Sequence, residues 1–260
     1  MNRNPRHPSP AAPPPRIRAR LGRLAVAAWL AMVTPFALAQ DGPTPGAHEP
    51  HRYQWTDERT DGPCKSYSSL VAGKDYIAAK AVCDVPARLE VINTLLRDID
   101  GFPGWLADCQ ATRVLKVEQQ APDSLVFWLH QHVPLFQDRD MVLRATVTID
   151  YAKGINLIEV RSTADLPYDA GQNLVRAPAF YAQFRLEWID RDHTRVTYLL
   201  DPDLGPGLPT SLANGNLRTL PLRSMEGLLK KVNDGKYRAA ARDSHYARWV
   251  DQAIKQGYLK

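Results

Sequence analysis

The chain has 260 residues, and its 33 lysines and arginines against 28 aspartates and glutamates give a formal net charge of +5. Six of those arginines lie within the first 39 residues, which contain no acid, so the rest of the chain carries 27 basic and 28 acidic residues. A protein that binds nucleic acid needs a basic excess on its folded part, and the lack of one here argues against a nucleic-acid partner.

The first 39 residues have the pattern of a secretory signal peptide. An arginine- and proline-rich start precedes the apolar run Leu24–Ala39, which ends in Ala-Leu-Ala ahead of Gln40. Small residues at this spacing mark a cleavage site, and the run is shorter than the roughly 20 residues that a spanning helix needs. We therefore expect cleavage near Ala39 and a periplasmic or secreted protein, with a retained anchor as the alternative. Residues 40–52 predict a flexible lead-in.

Three cysteines, Cys64, Cys83 and Cys109, follow this leader. A hairpin that turns at Gly73–Lys74 would place Cys64 opposite Cys83, within reach of a disulfide that an oxidising compartment would preserve. Two reduced, buried cysteines are the alternative, because a register slip of one residue would separate them. Cys109 has no histidine near it in sequence, so we expect it to pack in the core.

Most of the chain between Tyr53 and Asp201 alternates apolar and polar residues over short segments, which predicts β-strands with one buried face. An amphipathic helix interrupts them, with Leu89, Ile92 and Leu95 on its apolar side and Glu90 on its exposed side. The inward-facing residues of the later strands are Met141, Leu143, Ala145, Val147 and Ile149, then Phe180, Ala182, Phe184, Leu186 and Trp188, and then Val196, Tyr198 and Leu200.

The turn His132–Asp138 carries Leu135 and Phe136, two large apolar residues in a loop that ought to be exposed. We expect this turn to touch a membrane or to open as a lid. The alternative is that Phe136 packs under the start of the last long helix. His130 and His132 lie two apart on the preceding strand, but the sequence places no third ligand beside them, so we expect no metal site.

The segment Pro209–Val232 predicts a long helix. Its apolar stripe consists of Leu212, Ala213, Leu217, Leu220, Met225, Leu228, Leu229 and Val232. Pro209 suits a first helical position, whereas Pro221 in the interior removes one hydrogen bond and should kink the axis. This helix is the large apolar element available to cover the inner face of the sheet. Residues 235–260 predict a surface helix packed by its aromatic side chains.

Three blocks, in this order, resemble bacterial members of the START (StAR-related lipid-transfer) family: IDGFPGWLADCQATRVLK from Ile99, QDRDMVLR from Gln137 and GPGLPTSLANGNLRTLP from Gly205. The resemblance covers residues 53–234. It implies an α+β helix-grip fold of the START/Bet v 1-like type, in which a curved antiparallel sheet wraps around a long C-terminal helix. An apolar tunnel between them would hold a phospholipid, sterol or fatty acid, and the turn His132–Asp138 would form one lip of its mouth.

Combined with the inward-facing positions, the resemblance gives a set of candidate ligand-binding residues. They are Met141, Leu143, Ala145, Val147, Phe180, Phe184, Leu186, Tyr198, Leu217, Met225 and Leu229. The same residues could instead form a filled core, since every domain of a sheet and a helix has such a set.

The expected function is a monomeric lipid carrier or sensor that needs no cofactor and contacts membranes transiently. Polyketide cyclases have a related fold, but their chemistry requires ionisable groups inside the tunnel, and the inner faces offer Tyr198 and little else. An enzyme of that kind is therefore the first alternative. The second is a non-catalytic module that binds another envelope protein.

Overall fold

The computed structural model describes residues 52–118, 124–171 and 173–260, all within the compact unit Pro43–Lys260. The expected signal peptide, and the lead-in apart from Arg52, lie outside the described residues. The strands are β1 (Thr56–Asp61), β2 (Cys64–Ser69), β3 (Ala78–Val85), β4 (Cys109–Glu118), β5 (Ser124–Gln131), β6 (Arg139–Asp150), β7 (Ile155–Ser162), β8 (Val175–Arg176), β9 (Ala179–Trp188) and β10 (Thr194–Asp203). The helices are α1 (Leu89–Arg97), α2 (Thr210–Lys231), α3 (Gly235–Arg242) and α4 (His245–Lys255), and a 3-10 segment spans Ile99–Gly104.

The described strands form one sheet in the order β1-β2-β3-β10-β9-β7-β6-β5-β4, with neighbouring strands antiparallel. The short strand β8 adds a parallel pair to the start of β6. Apolar side chains on the inner face of the sheet pack against α2 and α1 in one continuous core. The prediction of a curved antiparallel sheet wrapped around a long C-terminal helix is confirmed.

The hairpin of β2 and β3 has the predicted register, with Cys64 directly opposite Cys83. The structure joins these two cysteines by a disulfide with an S–S distance of 1.99 Å. Both residues are buried, so the bridge ties the outer strands of the sheet to its core. In the chain-entropy account, such a bridge stabilises the fold by restricting the unfolded chain.

Helix α2 begins at Thr210 and continues through Pro221, so Pro209 lies at the N-cap position, one residue before the first helical position expected for it. Its buried stripe includes Ala213, Leu217, Leu220, Met225 and Leu228, whereas Leu212, which the pattern placed on this stripe, is 57% exposed. Arg223 of the same helix is half-buried despite its charge.

Gly227 allows the second half of α2 to approach the end of the 3-10 segment closely. A Cβ atom at this position would lie 2.1 Å from the backbone oxygen of Trp105, just after the 3-10 segment. Because no side chain can fit there, the helix and this segment touch through their backbones.

Helix α1 buries Leu89, Ile92 and Leu95 as predicted, but the exposure expected for Glu90 is wrong. Glu90 is 2% exposed and forms an ion pair with Arg88. The reason is that α3 and α4 pack against α1 and cover the side that its own sequence pattern leaves polar.

The C-terminal segment differs from the single surface helix that its sequence predicts. It forms α3 and α4, separated where the Ser244 side chain accepts a hydrogen bond from the Ala247 backbone and caps α4. Trp249 and Val250 are buried in the main core. The segment therefore belongs to the body of the domain.

The outer face of the sheet carries a smaller apolar cluster under the loop that follows β7. Val126, Trp128 and Val142 form this cluster, and Tyr168 packs on it. Arg176 of β8 donates two hydrogen bonds to the carboxylate of Asp140, which also accepts one from the Trp128 indole. This ion pair fastens the end of the loop to β6.

Candidate functional site

An apolar cavity of about 200 Å³ lies between the sheet and the first half of α2. It is lined by the end of β5 and the turn after it, by Phe180 of β9, by the end of β10 and by the start of α2. The lining residues are Gln131, His132, Val133, Pro134, Leu135, Phe136, Phe180, Leu200, Pro202, Leu204, Leu208, Leu212, Ala213, Asn216, Leu217 and Leu220. Most of these side chains are hydrocarbon, so the cavity suits an apolar ligand.

A smaller pocket of about 30 Å³ continues this cavity toward the centre of the domain. It shares Gln131, Phe180 and Leu220 with the first cavity. Its other lining residues are Phe102, Leu106, Ala107, Phe127, Leu129, Leu143, Val160, Ala182, Phe184 and Tyr198. The two spaces together follow the groove between the inner face of the sheet and α2.

Aromatic rings close the inner end of this groove. The rings of Phe184 and Tyr198 stack with their centroids 4.1 Å apart, and Trp105 meets Phe184 edge to face at 6.3 Å. Burial raises the pKa of Tyr198 above its ordinary value. The tyrosine therefore stays neutral at physiological pH, and the groove ends in an uncharged, close-packed wall.

The turn His132–Asp138, called the lid loop below, forms one side of the mouth. Leu135 at its tip has φ of 69° and is 94% exposed, while Phe136 turns inward and lines the cavity. A non-glycine residue in the left-handed region costs roughly 1 to 2 kcal/mol. The fold therefore maintains an unfavourable backbone conformation that holds Leu135 out toward solvent.

Asp138 holds the base of the lid loop. Its carboxylate accepts a hydrogen bond from the Val133 backbone at 2.9 Å and lies 2.8 Å from His130 Nε2 and 2.9 Å from His132 Nδ1. Burial acts to raise the pKa of Asp138, but these hydrogen bonds outweigh it and hold the pKa below its usual range. The two histidines therefore share a carboxylate at the root of the loop.

Arg139, the next residue, ties the lid loop to the opposite side of the mouth. It is almost fully buried and donates hydrogen bonds to the backbone oxygens of Leu204 at 2.8 Å, Pro206 at 2.7 Å and Gln137 at 2.5 Å. Burial lowers the pKa of this guanidinium from its usual value. The loop between β10 and α2 is thus fastened directly to the start of β6.

Asp108 anchors the first half of α2. Its carboxylate accepts two hydrogen bonds from Arg223, at 2.8 and 2.7 Å, and one from Asn216 at 3.2 Å. Its backbone oxygen accepts a hydrogen bond from the His132 backbone at 2.7 Å. Burial acts to raise the pKa of Asp108, but the hydrogen bonds and the charge of Arg223 hold it below its usual range. One residue thus connects α2 with the lid loop.

The structure brings together some of the residues expected to line a tunnel. Phe180 and Leu217 line the larger cavity, and Leu143, Phe180, Phe184 and Tyr198 line the inner pocket. The other six line neither space and pack within or against the core: Met141, Ala145, Val147, Leu186, Met225 and Leu229. Leu135 and Phe136 both line the mouth.

Sequence reasoning missed a large part of the mouth. Gln131, Pro202, Leu204 and Leu208 line the cavity, but they lie at strand ends and in a loop where periodicity carries no signal. Leu200, Ala213 and Leu220 also line the cavity; periodicity predicts that they face inward, but the predicted ligand-binding set does not include them. The glycines and prolines of residues 205–209 predict a loop, and this loop between β10 and α2 borders the cavity.

The described residues contain no group of three histidine, cysteine or acidic side chains that could hold a metal ion. Cys109 is buried, and burial raises the pKa of its thiol to about 12. A thiol with so high a pKa is a poor nucleophile at neutral pH. Within the described part of the chain, no helix is both long and apolar enough to cross a membrane.

Comparison with known proteins extends these observations. The family model for the START domain matches residues 53–225. An uncharacterized protein of Pseudomonas aeruginosa is 27% identical over 178 residues, which cover 67% of this chain and 84% of that protein. Among solved structures, a STAR-related lipid transfer protein fragment from Xanthomonas axonopodis matches with a TM-score of 0.62 and 24% identity, covering 69% of this chain and 99% of the fragment. Human STARD10 matches with a TM-score of 0.62 and 16% identity, covering 76% of this chain and 80% of that one.

Proposed function

This chain belongs to the START domain family, and on that premise we propose that it is an exported lipid-binding protein that carries or senses an apolar ligand. The observation that supports this proposal best is the apolar cavity between the sheet and α2. It lies where a ligand can be shielded from water, and its mouth is formed by two loops that are fastened to the body at identifiable residues. A carrier needs this combination of apolar lining and closable entrance.

The proposed ligand is a phospholipid, a sterol or a fatty acid. At about 200 Å³ the cavity is smaller than the roughly 300 to 1,000 Å³ usual for pockets that enclose a drug-sized ligand. Loading therefore requires the lid loop and the first half of α2 to separate. The hydrogen bonds made by Asp108 and Asp138 are the contacts that such a movement would have to break or carry along.

Export and a monomeric state are parts of the same proposal. The apolar run that ends at Ala39 supports passage through a membrane with later cleavage. The disulfide between Cys64 and Cys83 is consistent with an oxidising compartment such as the periplasm. A carrier there would meet membranes through the exposed tip of the lid loop.

The ionisable groups of the site favour a carrier over a cyclase. His132 at the mouth and Tyr198 at the inner end are the titratable side chains that line the two spaces. They line different spaces, and the ring of Tyr198 is stacked on Phe184. Acid–base catalysis needs donor and acceptor groups that converge on one substrate atom, so this arrangement supports binding without chemistry.

The proposal is tested by filling the cavity from the helix side. Ala213 is 7% exposed and faces the cavity, so Ala213→Trp places an indole ring where the ligand would lie. We expect the affinity for a fluorescent fatty-acid analogue to fall about tenfold or more, because close-packed interiors leave no alternative room.

Thr219→Trp, on the exposed side of the same helix, is the matched control and should bind like the wild type. Equal binding by both variants, with intact folding, would contradict a ligand site under α2. Native mass spectrometry of the protein purified from its own envelope would identify the amphiphile that it carries.

A further inference from the structure

The inner pocket of about 30 Å³, which continues the apolar cavity toward the centre of the domain, has two polar side chains in its lining. They are Gln131, the last residue of β5, and Tyr198, in the middle of β10. The other described residues that line this pocket are apolar, and none of them carries a charge. A ligand atom in the pocket therefore meets hydrocarbon and two neutral hydrogen-bonding groups.

The hydroxyl of Tyr198 has no partner among the described residues. The side chain is 4% exposed, yet its hydroxyl forms no hydrogen bond there. The oxygen is not among the polar atoms that protein fully encloses, so it borders the pocket. Stacking on Phe184 fixes the ring, and burial raises the pKa of the phenol above its ordinary value, so the hydroxyl keeps its proton and can donate. Because buried hydroxyls normally have a hydrogen-bond partner, this one points to a polar group of a ligand.

Gln131 is the second such group, and it borders both the inner pocket and the apolar cavity. It shares the inner face of β5 with Leu129 and lies directly opposite Arg139 of β6 and Cys109 of β4. The guanidinium of Arg139 already donates to three backbone oxygens, and the amide of Gln131 forms no side-chain hydrogen bond within the described part of the chain. An amide both donates and accepts, so Gln131 can serve a ligand group of either kind.

The two side chains face the pocket from different parts of the sheet. Strand alternation places Tyr198 with Leu200 on the inner face of β10, and Gln131 lies on the inner face of β5. Cys109, the neighbour of Gln131 on β4, is close enough to Tyr198 to raise the pKa of the phenol further. The available space of about 30 Å³ is enough for a hydroxyl or carbonyl group, since roughly 10 to 15 Å³ suffices for a water molecule.

We propose that the ligand binds head first, with a neutral hydroxyl or carbonyl group hydrogen-bonded to Tyr198 and Gln131 in the inner pocket and its apolar body along the cavity toward the mouth. This inference rests on the proposed function and specifies the chemical class and the orientation of the ligand. A phenol and an amide each donate and accept, so together they satisfy a head that does both. A permanently charged head does not fit, because the described lining residues supply no counter-ion and burying an unpaired charge is far more costly. Of the ligands proposed above, a sterol or a protonated fatty acid has a neutral head, whereas a phospholipid does not.

Displacement of a fluorescent apolar reporter, N-phenyl-1-naphthylamine, by three probes tests this proposal. The probes are 1-decanol, 1-chlorodecane and decyl sulfate, which share one chain and carry a hydrogen-bonding, a weakly bonding and an anionic head. Tyr198→Phe removes only the hydroxyl, so it should weaken the binding of decanol about fivefold, the usual value of one neutral hydrogen bond, and leave chlorodecane unchanged. Gln131→Met keeps the length of the side chain and should also weaken decanol without weakening chlorodecane. Decyl sulfate should bind the wild type less tightly than decanol, and tighter binding would contradict a neutral head site.

Tyr181→Phe is the matched control, because it removes a phenol hydroxyl from the outer face of the neighbouring strand β9 and lines neither the apolar cavity nor the inner pocket. Its affinities for all three probes should equal those of the wild type. Ligand-free Tyr198→Phe should melt no lower than the wild type, because no hydrogen bond within the protein is lost, and a lower melting temperature would show that the hydroxyl has a structural partner.

Two outcomes separate this inference from the proposed function. Unchanged decanol binding by Tyr198→Phe and Gln131→Met, with the reporter still displaced, would overturn the head site and leave the lipid-binding proposal standing. Failure of the wild type to bind the reporter or any of the probes would overturn both.

Discussion

At the scale of single residues, Asp108 links helix α2 to the lid loop. It has φ of 59°, a left-handed conformation that aspartate and asparagine tolerate better than most residues. From that position its carboxylate reaches Arg223 and Asn216 on α2, and its carbonyl reaches the lid loop. The helical pattern around Arg223 cannot show this partner, because Asp108 lies more than 100 residues away in the sequence.

Replacing Asp108 with asparagine should lower the free energy of unfolding by about 1 kcal/mol at pH 7. The expected loss is modest because Arg223 is more than a third exposed and water screens the pair. The pKa of Asp108 is lowered in the folded state, so its contribution is present above the unfolded value of about 3.9 and is lost as the pH falls through the folded pKa. Urea denaturation at neutral and acidic pH measures both effects.

The matched control is Asp84→Asn, which removes a similar two-bond contact with Arg195 at a site where both partners are about half exposed. Its effect should be smaller than that of Asp108→Asn. Equal losses for the two variants, or a loss at Asp108 that persists unchanged at low pH, would show that the carboxylate does not anchor α2.

At the scale of elements, the two apolar residues of the lid loop differ in exposure, although the sequence presents them as one apolar pair. Both residues border the cavity, but Leu135 at the tip is almost fully exposed, whereas Phe136 is partly buried. Burial preference predicted the inward packing of Phe136, and the loop's composition predicted an exposed apolar residue. Which residue has which role depends on the left-handed backbone at Leu135, and no local pattern announces that conformation in a non-glycine residue.

Leu135→Asp should reduce binding to phospholipid vesicles, because an exposed leucine that inserts among lipid tails gains free energy that a carboxylate would lose. The change should leave thermal stability unaltered, since the side chain makes few contacts. Co-sedimentation with vesicles gives the bound fraction, and a melting curve checks the fold.

Ile189→Asp provides the comparison, because Ile189 is 41% exposed in the turn at the opposite end of β9 from the mouth. Vesicle binding should be insensitive to this change. If both aspartate variants bind vesicles as the wild type does, the lid loop does not dock on membranes.

The elements also show how far the sequence predicts the site. Period-two alternation identified the inward face of the strands, and helical spacing identified the stripe of α2, whereas the helix-grip fold was predicted from the resemblance to the START family. The same periodicity treats Leu217 and Met225 alike, although one lines the cavity and the other is fully buried in the core. That difference depends on how far the sheet and helix diverge along their length, which is a property of the assembled fold.

At the scale of the whole molecule, the folded body extends beyond the segment that matches the family. The match ends at residue 225, yet Tyr237, Val250 and Leu259 are buried in the same core as α1 and the sheet. Helices α3 and α4 cover the polar face of α1, which explains why Glu90 is buried. The C-terminal helices are therefore structural parts of the domain.

Trp249→Ala should lower the free energy of unfolding by about 3 to 5 kcal/mol, the range usual for removing a buried tryptophan. The residue is 5% exposed and meets Tyr151 edge to face at 5.3 Å. Tyr258→Ala, at a side chain that is 53% exposed in the same segment, should change stability little. Chemical denaturation of the two variants compares them, and similar stabilities would mean that the C-terminal helices only rest on the surface.

The backbone contact at Gly227 limits where the domain can make room for a ligand. Because the helix and the neighbouring segment are in backbone contact there, no space for a ligand lies between them at the far end of α2. Additional space has to come from the entrance, so longer cargo would protrude outward instead of sinking deeper. Substitutions that enlarge the entrance should therefore broaden the range of ligand chain lengths that the protein accepts. Shortening side chains beside Gly227 should leave that range unchanged.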